Sequence, residues 1–109
     1  MQHLFVYGTL APGRPNHHVL ADIPGDWQPA TLRGELREEG WGAAMGCPGL
    51  VPGDHGGEVD GHLLSSLELE QHWTRLDAFE GDGYRRIEVE VRLESGVSVS
   101  ASVYALNTA

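Results

Sequence analysis

Two runs near the end of the chain alternate strictly between apolar and polar residues. Apolar residues occupy every second position of 87–93 and again of 97–105, on either side of Glu94-Ser95-Gly96. Because successive side chains of a strand point to opposite faces, each run predicts a strand with one buried face. The short turn predicts that the two strands pair as an antiparallel hairpin. In the second run, Tyr104 falls among the polar positions, with three serines.

The remaining strands are predicted from short apolar runs and the turn residues between them. The run His3–Tyr7 is apolar almost throughout and is stopped by Gly8, which is typical of a strand buried on both faces. Further strands are predicted at residues 31–36, 41–45 and 58–64. Glycine and proline predict loops at 11–15 and 46–57 and irregular structure at 22–30. Asn16 is expected to cap one or two helical turns over 17–21.

One longer helix is predicted after the strand at 58–64. Ser65-Ser66-Leu67-Glu68 has the pattern of a capping box, in which a serine oxygen accepts from the backbone and Glu68 reaches back. Leu69, Trp73 and Leu76 then recur at helical spacing and predict a buried face. Gly81 is expected to end the helix, because glycine readily adopts the left-handed conformation found there. About six strands and one main helix predict an α+β fold, built as a curved sheet or small barrel.

Glu80 continues the apolar stripe of this helix. It lies four residues after Leu76 and seven after Trp73, so the spacing places its carboxyl at the buried face of the last turn. Burial disfavours the ionised carboxylate, and so does the partial negative charge at a helix C-terminus. Both effects are expected to raise the pKa of Glu80, as a general acid–base residue requires. The alternative is a glutamate at a frayed helix end that points into water.

A second candidate site is the turn Tyr7-Gly8-Thr9-Leu10, which follows the first predicted strand. Gly8 permits backbone conformations that other residues resist, and consecutive amides in such a turn can point at one anion. The alternative is an ordinary glycine between a strand and a loop.

Length and charge narrow the functional classes. The chain has 109 residues, which predicts a single domain over 1–109. Its net charge of −9 disfavours binding to nucleic acid or to anionic membrane surfaces. No apolar run is long enough for a transmembrane helix, no signal peptide is recognised, and Cys47 is the single cysteine. These features favour a cytoplasmic protein that acts on a small molecule.

Several segments together resemble the γ-glutamyl cyclotransferase and AIG2-like family. Leu4–Leu10 resembles the family's first strand and Y-G-[ST]-L turn, and Leu76-Asp77-Ala78-Phe79-Glu80-Gly81 with Tyr84 and Arg86 resembles L-D-x-[FL]-E-G…Y-x-R. Weaker resemblances are found at 14–18, 48–52 and 59–63, the first of them to γ-glutamylamine cyclotransferases in particular.

The resemblance implies a small mixed β-barrel of about six strands with one main helix and short flanking helices. It implies that Glu80 is the catalytic carboxylate and that substrate-binding residues are Tyr7, Gly8, Thr9, Leu10, Tyr84 and Arg86. The family reaction converts a γ-glutamyl amide into 5-oxoproline and a free amine or amino acid, with no metal or other cofactor. The identity of the leaving amine stays open, with the segment at 14–18 favouring amine-linked substrates.

Other functions are less well supported by the residues. The six histidines show no metal-binding spacing, no G-x-S-x-G elbow accompanies a serine, and Cys47 has no charged neighbour that would activate a thiol. Arg14 and Arg86 could each meet a carboxylate or simply be solvated. The main alternative function is a non-catalytic module that binds small γ-glutamyl or carboxylate ligands. The presence of Glu80 favours the enzyme.

Overall fold

The computed structural model describes residues 2–7, 17–37, 49–53 and 56–106. Within them lie six strands and one α-helix, with short 3₁₀ turns at His17–Val19 and Leu69–Gln71. The strands are β1 (Gln2–Val6), β2 (Asp26–Arg37), β3 (Gly49–Pro52), β4 (Gly57–Ser66), β5 (Tyr84–Leu93) and β6 (Ser98–Leu106). The helix, α1, spans Trp73–Glu80.

Five of the strands form a closed barrel in the order β2-β4-β1-β6-β5, and β5 returns to β2 at Ala30 and Thr31. The β1–β6 pair is parallel and the other pairs are antiparallel, so the barrel is mixed. The sixth strand, β3, pairs with the final residues of β2. This arrangement confirms the α+β fold and the small barrel that the sequence predicts.

β1 separates two hydrophobic cores. Leu4 and Val6 pack beneath α1, together with Leu76 and Tyr104. Phe5, between them, points into the barrel interior. Both faces of β1 are therefore buried, as its uniformly apolar sequence predicts, and the strand links the barrel to the helix that carries Glu80.

The predicted hairpin is formed by β5 and β6, which pair from Arg92 and Ser98 to Tyr84 and Leu106. The alternation holds along β5 and the first half of β6. It fails at Tyr104, which alternation assigns to the polar face but which is only 4% exposed. The reason is that α1 covers this end of the outer face, so that Leu76 and Tyr104 belong to one core.

Two segments predicted to lack regular structure contain strands. Asp26–Ala30, in the segment predicted to be irregular, is the first part of β2 and pairs with Ser65–Gly61 of β4. Gly49–Pro52, in the segment predicted to be a loop, is β3. In both cases proline and glycine obscured the local pattern, and the hydrogen-bonding partners come from strands elsewhere in the chain. The strand predicted at 41–45 and the loop predicted at 11–15 lie outside the described residues.

The start of the main helix also differs from the prediction. Ser65 and Ser66 are the last residues of β4, and α1 begins only at Trp73. The Ser66 hydroxyl does accept from the Glu68 amide, at 3.0 Å, but it also donates to the Pro24 carbonyl. These contacts fix a bend after β4 rather than a helix start. The predicted end is correct, because α1 stops at Glu80 and Gly81 has a positive φ of 76°.

Gly61 of β4 packs tightly against Phe5 and Val6 of β1, and we expect Gly61→Ala to destabilise the barrel. A Cβ at this position would lie 2.5 Å from both Phe5 Cζ and the Val6 carbonyl oxygen. Overpacking of this kind costs about 1–3 kcal/mol. Urea unfolding of Gly61→Ala should show that loss. Gly57→Ala on the same strand is the matched control, since a Cβ there meets nothing within 4 Å. Equal midpoints for the two variants would contradict the prediction.

No helix among the described residues is long and apolar enough to cross a membrane.

Candidate active site

The candidate site is centred on Glu80, the last residue of α1. The buried residues of this helix are Trp73, Leu76 and Glu80, which is the stripe predicted from their spacing. Glu80 is 8% exposed, although its neighbours Gly81 and Asp82 are exposed. The alternative of a glutamate pointing into water is therefore wrong. Glu80 therefore belongs to the buried face of α1, together with Trp73 and Leu76.

Burial changes the acid–base behaviour of Glu80. Loss of hydration raises the pKa of this carboxyl from 4.5 to about 7. Near neutral pH the group is therefore divided between a carboxylate that can accept a proton and a carboxylic acid that can donate one. A general acid–base residue needs both forms at its working pH.

Each residue of the Leu-Asp-Ala-Phe-Glu-Gly segment has a distinct structural position. Leu76 is fully buried, and Phe79 packs against the same core from its edge. Asp77 faces the other way, with a side chain 45% exposed. Gly81 follows directly with φ 76° and ψ −172°, a conformation that glycine adopts readily and other residues resist. The segment therefore stops the helix where a buried carboxyl is its last side chain.

Asp77 is held by two side chains from the hairpin. Its Oδ1 accepts from the Tyr104 hydroxyl at 2.6 Å and from Arg86 Nε at 2.9 Å, and its Oδ2 accepts from Arg86 Nη2 at 3.3 Å. The Arg86 guanidinium also stacks over the Trp73 ring, 4.4 Å from the ring centroid. Arg86 thus does meet a carboxylate, and that carboxylate is the chain's own. Substrate binding by Arg86 stays a prediction.

Tyr7 is the first residue of the predicted substrate turn and the one that belongs to the described residues. Its hydroxyl donates to the Tyr104 carbonyl at 2.7 Å and accepts from the Leu50 amide at 3.1 Å. Burial raises the pKa of Tyr7, and the charges of Tyr84 and Glu80 add to that rise. The hydroxyl proton is therefore retained for the bond to β6, while the hydroxyl oxygen accepts the bond from β3. Gly8, Thr9 and Leu10 lie outside the described residues.

Tyr84 begins β5, and its amide donates to the Gly81 carbonyl at 3.3 Å. Its half-buried ring packs against the core beneath α1. Together with Asp77, Gly81 and Arg86 it lines a cleft of about 300 Å³ beside the end of the helix. Glu80 and Tyr84 both lie near enough to Tyr7 for their charges to raise its pKa.

Sequence patterns alone missed the roles of Tyr104 and Asp77. Alternation assigns Tyr104 to solvent, and no local pattern gives Asp77 a role beyond its place in the segment that resembles the family. One signal was present, because Tyr104 is the single aromatic residue among the serines at the polar positions of β6. An aromatic ring at such a position can indicate that another element covers it.

The described residues contain no cluster of three or more His, Cys, Asp or Glu side chains that could hold a metal ion. The absence of a cofactor stays a prediction.

Comparison with known proteins gives consistent similarities. Residues 4–109 match the family model described as gamma-glutamyl cyclotransferase, AIG2-like. The chain is 32% identical to the gamma-glutamylaminecyclotransferase of Rattus norvegicus, over 99% of this chain and 80% of that protein. It is 34% identical to the putative gamma-glutamylcyclotransferase YkqA of Bacillus subtilis, over 95% of this chain but only 35% of YkqA.

Solved structures agree with these similarities. The crystal structure of an AIG2-like protein from Mus musculus superposes with a TM-score of 0.74 at 30% identity, covering 100% of this chain and 79% of that one. The crystal structure of YkqA superposes with a TM-score of 0.73 at 34% identity, covering 97% of this chain and 36% of that one.

Proposed function

The chain belongs to the γ-glutamyl cyclotransferase, AIG2-like family, and on that premise we propose that it cleaves a γ-glutamyl amide to 5-oxoproline and a free amine or amino acid. The observation that carries the proposal is the Glu80 carboxyl, buried at the end of α1 with its pKa raised to about 7. A non-catalytic ligand-binding module would have no need of a proton-exchanging group in that position.

The reaction needs no outside nucleophile. The α-amino nitrogen of the substrate attacks its own γ-carbonyl carbon and closes a five-membered lactam, while the bond from that carbon to the leaving nitrogen breaks. Because the nucleophile is tethered, the protein's main task is to hold the substrate in the attacking shape. We assign that task to the turn at Tyr7–Leu10, whose amides suit the substrate carboxylate or the developing oxyanion.

Glu80 accounts for the proton transfers. The α-ammonium must lose two protons in becoming the lactam N–H, and the leaving nitrogen must gain two in becoming an ammonium. Glu80 as the carboxylate accepts a proton from the attacking nitrogen, and as the carboxylic acid it returns that proton to the leaving nitrogen. Two such transfers in each cycle move both protons. Glu80 ends each cycle in its starting form, so the reaction balances without another reactant.

The substrate class is proposed from the name of one similar protein. The rat protein's name assigns it to γ-glutamylamines, and this chain covers 80% of that protein. We therefore infer an amine, such as the ε-amine of lysine or a polyamine, as the leaving group. We also infer a cytoplasmic location, where such metabolites and a reducing environment are found.

The test is to incubate the protein with a panel of γ-glutamyl amino acids and γ-glutamyl amines and to measure 5-oxoproline. We expect 5-oxoproline and the amine in equal amounts, with amine-linked substrates preferred. Two controls probe the chemistry: the N-acetyl derivative lacks the nucleophile, and the α-glutamyl isomer lacks the reactive γ-amide. Neither should yield 5-oxoproline.

Two outcomes would contradict the proposal. Release of glutamate in place of 5-oxoproline would indicate hydrolysis by water. Saturable binding of the panel without any product would indicate the ligand-binding module.

A further inference from the structure

The Asp77 carboxylate joins the last turn of α1 to the barrel. Arg86 and Tyr104 are directly opposed in the β5–β6 register, and both donate to Asp77. Three hydrogen bonds thus converge on one side chain of the helix, and both donors come from the same pair of strands. Asp77 lies three residues before Glu80. These bonds therefore fix the position and rotation of the turn that carries Glu80.

A helix of this length needs such support. α1 has eight residues, little more than two turns, and helices this short are marginal by themselves in water. Glu80 is its final residue, so fraying of one turn would release this side chain first. Released into water, the carboxyl would lose the environment that raises its pKa.

The hydrogen-bonded group of Asp77, Arg86 and Tyr104 keeps its protonation state across the pH range in which Glu80 titrates. Hydrogen bonding from Arg86 lowers the pKa of Asp77, and the partnership with Asp77 raises that of Arg86. Burial, together with Asp77, raises the pKa of the Tyr104 phenol. Asp77 therefore remains a carboxylate and Tyr104 remains a donor while Glu80 gains or loses its proton.

Tyr104 also contacts Tyr7, the first residue of the predicted substrate turn. Its side chain holds the helix of Glu80, and its main-chain carbonyl accepts the hydrogen bond from Tyr7. Tyr7 is in turn the first residue of the predicted substrate turn, and its hydroxyl accepts a hydrogen bond from the Leu50 amide. One residue of β6 thus has hydrogen bonds to both the base-bearing helix and the strand end that leads to the substrate turn.

We propose that Asp77, Arg86 and Tyr104 are positioning residues that aim Glu80 at the substrate, a role that rests on the proposed cyclotransferase reaction. None of the three exchanges protons in the reaction. They hold the last turn of α1 against β5 and β6.

Tyr104→Phe is the sharpest test, because it removes one hydroxyl and leaves both the ring and the carbonyl that Tyr7 uses. We expect kcat to fall by about ten-fold to a hundred-fold with KM changed by less than about two-fold, since small misplacements of a catalytic group have effects of that size. In a Glu80→Gln background, Tyr104→Phe should have no further effect on the rate. Ser66→Ala is the matched control, because it also removes a buried hydroxyl, one that contacts Pro24 and Glu68 instead.

Arg86→Gln is a second variant, which removes the charged partner of Asp77. As a positioning residue, Arg86 should affect kcat and leave KM nearly unchanged. If Arg86 instead bound the substrate, as the family resemblance implies, KM would rise. A kcat for Tyr104→Phe equal to that of Ser66→Ala, or a change in KM alone for Arg86→Gln, would overturn the proposal.

A measurement made without substrate tests the positioning role independently of the proposed function. NMR titration of the Glu80 side-chain carboxyl should show a pKa near 7 in the unmodified protein and in Ser66→Ala. In Tyr104→Phe it should move towards the ordinary value of 4.5. If the pKa of Glu80 falls in Tyr104→Phe but the protein has no cyclotransferase activity, the proposed function is refuted. The conclusion that Tyr104 holds Glu80 in place would still stand. An unchanged titration with unchanged kcat in an active enzyme would refute the positioning role alone.

Discussion

Glu80→Gln is expected to lower the rate of 5-oxoproline release by roughly a hundred-fold to ten-thousand-fold, the range typical for loss of a general acid–base residue. Glutamine keeps the size of the side chain and its capacity for hydrogen bonds, but it cannot accept or return a proton. The fold should be preserved, because a neutral group suits this buried position at the end of α1. Initial rates with the best substrate of the panel measure the effect.

The pH dependence of the same reaction gives an independent check. Because the carboxylate form of Glu80 starts the reaction, kcat/KM should rise with pH through about 7, the raised pKa of Glu80. An unperturbed glutamate would place that rise near 4.5. Glu70→Gln is the matched control, since it removes an exposed carboxylate from the 3₁₀ turn before α1. Full activity of Glu80→Gln at neutral pH would refute the assignment of Glu80 as the base.

The free energy of unfolding is expected to fall by about 3 kcal/mol between pH 4.5 and 7 through Glu80 alone, at about 1.4 kcal/mol for each pH unit. In the unfolded chain Glu80 ionises near its ordinary pKa of 4.5, whereas in the folded chain it stays protonated up to about pH 7. Between these values the folded state binds more protons, so its stability decreases as pH rises. Above pH 7 the full loss is present.

Urea unfolding of the unmodified protein and Glu80→Gln at several pH values would measure this effect. The difference between the two proteins removes the contribution of all other titrating groups. The contribution of Asp77 to the pH dependence of stability has the opposite sign, because Arg86 lowers the pKa of Asp77. The stabilisation from Asp77 is lost only as the pH falls below 3.8, the ordinary pKa of an aspartate. The stability of Glu80→Gln relative to the unmodified protein should therefore increase from pH 4.5 to 7. A constant difference over that range would show that the pKa of Glu80 is not raised in the folded protein.

The sequence alone predicted those elements whose pattern is local. The apolar run of β1, the alternation of β5 and the first half of β6, and the glycine that ends α1 were each recognised correctly. Glu80 was recognised for the same reason, because helical periodicity relates a residue to positions three and four before it. Its burial confirms a prediction that used only Trp73, Leu76 and the spacing between them.

Prediction from the sequence failed where the secondary structure of a segment depends on a partner that is distant in the chain. Asp26–Ala30 is a strand despite Pro29, because β4 supplies its partners some thirty-five residues later in the chain. Ser65 and Ser66 read as a helix cap, yet they end β4, where Ser65 bonds His3 and Ser66 bonds Pro24. Local sequence does not contain these partners, so no local pattern could indicate them.

What the sequence by itself determined is therefore the type of fold and the identity of the candidate acid–base residue. Only the tertiary structure decided how that residue is held. Tyr104 and Arg86 meet Asp77 because the β5–β6 register opposes them beneath α1, and Tyr7 meets Tyr104 because β1 lies beside β6. Barrel closure creates these contacts between residues as many as 97 positions apart. Their geometry follows from the pairing of strands, and periodicity along the chain carries no information about it.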